Sequence, residues 1–592
     1  MKTAVIFATL LLACCCLLAS AAAHNEKSVH PLKKFFSQKD ANGGATCATC
    51  SILVGLVEQL SQIYNISIAD SISKFCEFLP SGFNVACKLI VTDFAPTIIK
   101  LLENKETPDI VCHALDICTN QTGEFCHVFP LPKHDSTNDI RARVARAKQT
   151  VKLTRINLGL KSDAFLNPYH KFVDLCNISV IKPICDLIDR FGNDHLPVDD
   201  LDGDYFSDVP TFRGSSWRGK DCNDVSSKAH PGRYSVDDAI EDTNCNGILG
   251  RDPATGDTYE SLWCKDSQPM GTVILGDSAG AHFHIPPAWL TSKEMSEEVF
   301  KDLFFILENE LDWPMMSSAT GYMNSTWPAA ITGPVDSTYL RLKEINRCNH
   351  RDYQSIAVNG ARASAMAKEL VKGFARDGKT DKPVFLSLAL IGNDVCNGHH
   401  DISHMTTPEE FYNSTLETLR YVDSIVAPGS VVIGVGLVDG RVLYNTLHDQ
   451  IHPIGSYRND VTYAQIYDYL NCLEISPCFG WLNSNETWRN LTTERAFQLN
   501  DAFKSLVAKE TFNNFKVHYM DAAINEMFKR WVAEGGKPSE LIEPVDGFHP
   551  SQIGQAINTA VTFDLLEKMG VLPPTNPYND EIFKKFGDQG GY

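Results

Sequence analysis

The chain has 592 residues, 43% of them hydrophobic and 21% charged, a globular composition too long for one ordinary core, so two or three domains are expected. Its formal charge of −20 argues against nucleic-acid binding, which needs a basic face to displace counterions from phosphates. The same charge argues against electrostatic recruitment to anionic lipid, so membrane-lipid contact must be mainly apolar or use local cations or bound metal.

Residues 1–23, MKTAVIFATLLLACCCLLASAAA, place one Lys before a long apolar run that ends in small residues. This is the layout of a secretory signal peptide, cleaved near Ala22 or Ala23. No later stretch reads as long enough to span a bilayer, so the mature chain is expected to be soluble. Cys14, Cys15 and Cys16 lie in that segment, and the other 16 of the 19 cysteines form an even set suited to pairing in an oxidising compartment. Asn65, Asn120, Asn177, Asn324, Asn413, Asn485 and Asn490 each open an Asn-x-Ser/Thr sequon, which points to glycosylation on the same route.

From residue 43 to 128, helically spaced apolar residues run between Cys47, Cys50, Cys76, Cys87, Cys112 and Cys118. This spacing resembles a saposin B-type domain, and the resemblance implies the pairs Cys47–Cys118, Cys50–Cys112 and Cys76–Cys87. About 80 residues have little core of their own, and cross-links let such a bundle display an apolar helix face to acyl chains or a bilayer. The alternative is that the rest of the chain covers that face. Residues 129–155 are polar and basic, with Arg141, Arg143, Arg146 and Lys148 close together; they read as an exposed, protease-sensitive linker, or else a solvated helix.

Residues 156–270 read as a calcium-loop region. Five Asp fall between 199 and 208, and DCND and EDTNCNGI follow. Asp/Asn alternation with Gly turns successive oxygens toward one hard cation. The expected Ca2+ ligands are Asp200, Asp202, Asp204, Asp221, Asn223, Asp224, Asp242, Asn244 and Asn246, with the Ile248 carbonyl and Asp252 as further ligands.

From 271 to 592, short apolar runs alternate with helical patterns: TVIL at 272, YQSIAV at 353, VFLSLALI at 384, SVVIGVGLV at 430 and FKVHYM at 515. This predicts a three-layer α/β/α domain with a parallel sheet. The whole chain is thus α+α/β. Three runs end in Gly276-Asp277-Ser278, Asn359-Gly360 and Gly392-Asn393-Asp394, and Asp546-Gly-Phe-His549 precedes a final helical run. Ligands of open α/β sheets bind beyond the carboxyl ends of the strands, so these motifs should converge. Ser278 would be a nucleophile, His549 its base and Asp546 the group that orients the imidazole. The Ser278 and Gly360 N–H groups and the Asn393 amide would hold an oxyanion. His282 and His284 read as pocket-wall or hydrogen-bonding residues, and His399 and His400 as loop residues.

The four motifs in this order resemble the SGNH (GDSL-type) hydrolase superfamily. The longer strings GDSAGAHFHIP, CNHRDYQ, IGNDVC, TYAQ, EPVDGFHP and FGDQGG, with the saposin pattern and the calcium boxes, resemble the acyloxyacyl hydrolase family over nearly the whole chain after the signal. That resemblance implies a lipase that removes secondary fatty acyl chains from the lipid A of bacterial lipopolysaccharide, binds calcium and is processed into small and large disulfide-linked subunits. It also implies secretion, with secretory or endolysosomal vesicles as a further location. A phospholipase or general acyl esterase, or a lipid-binding protein with an idle hydrolase fold, would share part of the pattern. Cys126 lies beyond the saposin set and is expected to pair with Cys472 or Cys478; Cys176 with Cys185, Cys222 with Cys245 and Cys348 with Cys396 are expected as same-region pairs.

Overall fold

The structure is a computed structural model that describes residues 41–131, 137–157, 195–235, 237–398 and 400–592. The signal segment, the Cys176/Cys185 pair, Asn177 and His399 lie outside the described residues.

The first part is helical: α1 (Gly44–Tyr64), α2 (Ile68–Phe78), α3 (Phe83–Glu103), α4 (Pro108–Ala114) and α5 (Thr137–Asn157). Ser67 caps α2 through the Asp70 N–H, and Pro108 opens α4 where no N–H is needed. Cys47–Cys118 and Cys50–Cys112 join α1 to the end of α4, and Cys76–Cys87 joins α2 to α3. Of the two readings of the basic segment, linker or solvated helix, its described part from 137 onward is helical. Good helix formers and the 4-then-3 spacing of Ile140, Val144 and Ala147, all buried, give α5 an apolar stripe that packs on α3 and α4. Arg141, Arg146 and Lys148 stay on its exposed side, while Arg143 pairs with Glu106 at 2.9 Å.

α1 is apolar enough and long enough to cross a bilayer, but most of its side chains are buried inside the protein. It shares one continuous core with Phe283–Val335 and Ile454–Ile475 of the second part. Gln59 donates to the Ile454 carbonyl (2.9 Å) and accepts from Ser292 (2.7 Å), and Arg458 pairs with Glu58 at 3.1 Å. Much of the apolar surface left over by the small bundle is therefore covered by the rest of the chain. Half-buried Phe94, Ile98 and Ile99 on α3 remain at its margin.

The second part contains β1 (Gly271–Gly276), β2 (Tyr353–Ser355), β3 (Val384–Ala389), β4 (Ser430–Val435) and β5 (Phe515–Met520) in one all-parallel sheet of order β2-β1-β3-β4-β5. Side chains alternate between its faces. Leu386, Leu388 and Val432 pack under α8 (Pro408–Ile425) and α11 (Glu486–Lys509), while Phe385, Ile433 and Met520 pack under α13 (Gln552–Met569). Ahead of these in sequence come α6 (Tyr259–Trp263) and α7 (Ser278–Ala281), and among them α9 (Arg441–Leu447), α10 (Tyr463–Cys472) and α12 (Ile524–Ala533).

The acidic loops cover the edge of the sheet. Ser355 donates to the Trp217 carbonyl and Gly219 to that of Tyr353, each at 2.8 Å, so residues 217–219 pair alongside β2. Cys222–Cys245 closes this region and Cys126–Cys472 ties the helical part to α10. Cys348, however, pairs with Cys264, and Cys396 with Cys478. Cys348 stands before β2 and Cys396 beyond β3, so the length of a strand, about 20 Å, separates them, and no disulfide reaches across that.

Candidate active site

Ser278 opens α7 immediately after β1. Asp277 caps this turn by accepting from the Ala279 N–H (3.1 Å), and its other oxygen accepts from the Ile391 N–H (2.9 Å), which joins the loops after β1 and β3. Burial raises the Asp277 carboxyl to about 6. His549 comes from the turn before α13. Its Nε2 lies 2.7 Å from Ser278 Oγ, and its Nδ1 2.5 Å from Asp546 Oδ2. Asp546 Oδ1 accepts from the N–H groups of Phe548 (2.8 Å) and His549 (3.1 Å). Burial pushes the Asp546 carboxyl up, but the facing imidazole and these donors outweigh it and hold the group below the usual carboxylate range. All three side chains are buried, and the rings of Phe283 and Phe548 flank His549 at 4.8 and 5.0 Å.

Beyond β2, the Ile356 and Val358 N–H groups continue the ladder onto β1 and carry the chain to Gly360, whose φ of +78° suits glycine. Asn359 is held by Asp312 at 3.0 Å. Asn393 stands half-buried in the turn after β3. The adjacent Asp394 accepts from the Ala363 N–H (3.0 Å) and the Thr406 hydroxyl (2.6 Å), tying the loops after β2 and β3 together. All three strand-end motifs thus lie at the carboxyl end of the sheet, around the strand-order reversal at β1.

His282 and His284 are buried and make no bond to Ser278; His284 Nε2 meets the Ala330 carbonyl at 3.0 Å. His400 bonds the Asn471 carbonyl (2.8 Å) and stacks on Phe479. Two tyrosines of α10 hold the acid–base turn: Tyr463 donates to the Pro544 carbonyl (2.5 Å) and Tyr467 to that of Gly547 (2.8 Å). On the same helix Tyr469 donates to the Cys47 carbonyl of α1 (3.2 Å).

The acidic loops gather in two places. Carboxylate oxygens of Asp200, Asp202 and Asp224 lie within 4.8 Å of one another, as do those of Asp202, Asp204 and Asp221. Burial, with the neighbouring carboxylates, raises Asp204 to about 7 and Asp221 to about 6. Asn223 is turned to Glu241 at 2.9 Å. In the second place Asp242 accepts from Asn246 and Gly247, Ile248 N–H donates to Asn246, and Asn244 and Asn246 both donate to Glu260 of α6. Asp252 bonds within its own turn, to Ala254. Glu260 was not signalled by the sequence, because it stands 14 residues past Asn246 and only the fold returns it; burial raises its carboxyl to about 7. Arg213 was missed likewise. It binds Glu310 through two nitrogens (2.7 and 2.6 Å) and the Ala357 carbonyl (2.8 Å), and so ties the acidic loops to the turn that carries Gly360.

A parallel sheet with a serine, histidine and aspartate in a hydrogen-bonded row at its carboxyl end, joined to a disulfide-bonded helical bundle, defines a GDSL-type hydrolase with a saposin-like domain. The corresponding family models match: "Saposin-like domain" at residues 46–186 and "GDSL-like Lipase/Acylhydrolase" at residues 273–558. Among relatives, the acyloxyacyl hydrolases of Homo sapiens, Oryctolagus cuniculus and Mus musculus are 41%, 41% and 40% identical to the chain. Those matches cover 96%, 92% and 93% of it and 97%, 93% and 94% of the relatives. The chain belongs to the acyloxyacyl hydrolase family. It is an ester-hydrolysing enzyme, a lipase that removes acyl chains.

Proposed function

We propose that the chain removes secondary fatty acyl chains from the lipid A of bacterial lipopolysaccharide, with Ser278 as nucleophile, His549 as general base and acid, and Asp546 as orienting carboxylate. The observation that carries the chemistry is the continuous row from Ser278 Oγ through the imidazole to Asp546. His549 takes the serine proton as Oγ attacks the ester carbonyl, then returns it to the departing 3-hydroxyl; water repeats the cycle on the acyl-enzyme. The Ser278 and Gly360 N–H groups and the Asn393 amide receive the negative oxygen of each tetrahedral intermediate. The lipid A part rests on the names of the relatives. Mass spectrometry of hexa-acyl lipid A after incubation with the purified protein tests it: loss of the secondary chains supports the reading. Release from glycerophospholipid with intact lipid A would replace it by a phospholipase.

Calcium belongs to the same reading. Buried oxygens of Asp202, Asp204, Asp221 and Glu260 have no hydrogen-bond partner, and crowded orphaned carboxylates are a fit for a hard cation with oxygen ligands. Asp200, Asp202, Asp204, Asp221 and Asp224 would hold one set, and Asp242, Asn244, Asn246, the Ile248 carbonyl and Glu260 the other. The ion would supply charge neutralisation that shapes residues 199–252. Chelation is expected to lower the melting temperature, since an ion at a hundredfold its Kd stabilises by about 2.7 kcal/mol. It should also reduce turnover, because Arg213 passes the disorder to the Gly360 turn. Unchanged melting and metal content after EDTA would remove calcium from the account.

The six sequon asparagines among the described residues are all exposed, which supports a glycosylated, secreted protein. A cut within 129–155 would give two subunits still joined by Cys126–Cys472.

A further inference from the structure

Behind the acid of the row, Glu543 is wholly buried, yet almost every polar group it owns is engaged with the turn that carries Asp546 and His549. Its N–H donates to the His549 carbonyl (2.7 Å) and its own carbonyl accepts from Gly547 (3.0 Å). Its Oε2 accepts from the N–H groups of Val545 (2.8 Å) and Asp546 (2.7 Å). The other carboxyl oxygen, Oε1, makes none of these bonds and faces His284 Nδ1 at 3.4 Å; both atoms are buried and neither has a hydrogen-bond partner, so the two lie within reach of each other with the bond between them not closed. His284 belongs to the segment that begins with Ser278. Its Nε2 meets the Ala330 carbonyl, which can only accept, so Nε2 carries the ring proton and Nδ1 presents a lone pair. A hydrogen between Oε1 and Nδ1 must then come from the carboxyl.

We propose that Glu543 is a positioning residue kept as a neutral carboxylic acid, donating its proton to His284 Nδ1 and so fastening the turn of Asp546 and His549 to the segment of Ser278. The other groups around it agree. The Asp546 carboxylate faces the Glu543 carboxyl as well as His549, and a second charge there would compete for the imidazolium formed in catalysis. His452 Nε2 is spent on the Val545 carbonyl (2.8 Å) and Tyr463 on that of Pro544, so neither offers Glu543 a countercharge. Burial, then Asp546, pushes the Glu543 carboxyl well up, and burial lowers His284 to about 4. Both partners are thereby neutral, leaving Asp546 as the anion that faces His549.

The proposal rests on the triad reading above, and its test keeps the two apart. The full chain is assayed on a short-chain chromogenic ester across a pH series. Glu543→Gln mimics the acid: the amide oxygen accepts the two N–H groups and the amide NH2 donates to Nδ1. It is expected to retain kcat within about threefold, with a superimposable pH profile, while Glu543→Ala loses roughly tenfold or more in kcat at little change in KM and shifts the acid limb. A Gln variant as slow as the Ala variant would show that charge is required and overturn neutrality. An Ala variant like the parent would overturn the positioning role. Should Glu543→Ala not fold, Glu543→Leu fills the space without hydrogen bonds and serves the same comparison. Ser278→Ala runs alongside, and activity in that variant would refute the triad independently of Glu543.

Discussion

Ser278→Ala is expected to reduce acyl release by several orders of magnitude, on the order of 10⁶ if this triad behaves like other serine hydrolases. The hydroxyl is the only part of the row that forms the acyl bond. Its removal leaves His549 and Asp546 with their mutual 2.5 Å contact, and a buried methyl in place of a hydroxymethyl opens little space. Melting temperature and binding to lipid aggregates should therefore match the parent. Fatty-acid release is read by mass spectrometry, and a variant within about tenfold of the parent would assign the chemistry to another nucleophile.

Asp546→Asn should be nearly as severe, about 10⁴ in kcat, for a different reason. The substituted amide can keep its oxygen on the Phe548 and His549 N–H groups, so the turn survives. Its NH2 then faces Nδ1 and forces the ring proton onto Nε2, where it meets the Ser278 hydroxyl and leaves no base. The parent carboxylate sits below the usual range, so its stabilising contribution is complete above the unfolded-state pKa. It is lost only as pH falls through the lower folded value. Asp546 accordingly stays ionised at every pH above that lower value. Substantial activity of the Asn variant at neutral pH would contradict this assignment.

Much of this site was legible because it is written in short motifs. Asp546 and His549 are three residues apart, and the Ser278, Gly360 and Asn393 motifs each close an apolar run that had to be a buried strand. In a parallel sheet every strand ends on the same side, so the motifs meet at one end whatever the strand order. What stayed hidden depends on which distant segments meet. Glu260 joins its calcium box only through α6, Glu543 meets His284 from across the chain, and Arg213 reaches Ala357 over the sheet edge. Cys348 and Cys396 looked like neighbours in sequence because the sheet that holds them apart is not visible there. For the basic segment the helix was one of two readings, but not its packing, since Ile140, Val144 and Ala147 among many charges make a buried stripe only once something lies beneath them. The apolar excess of the saposin-like bundle was legible, but not that α10 and its surroundings cover much of it.

The bond between Cys126 and Cys472 spans 346 residues, whereas the three cross-links of the helical bundle close between residues 47 and 118. A ribosome adding roughly 5–20 residues per second completes the bundle's six cysteines well before residue 472 exists. Cys126 is therefore made with the bundle, and its partner arrives later on α10, the helix whose tyrosines seat the acid–base turn. The three bundle pairs can close before the clasp can. A closed clasp requires that α10 has come within disulfide reach of the bundle.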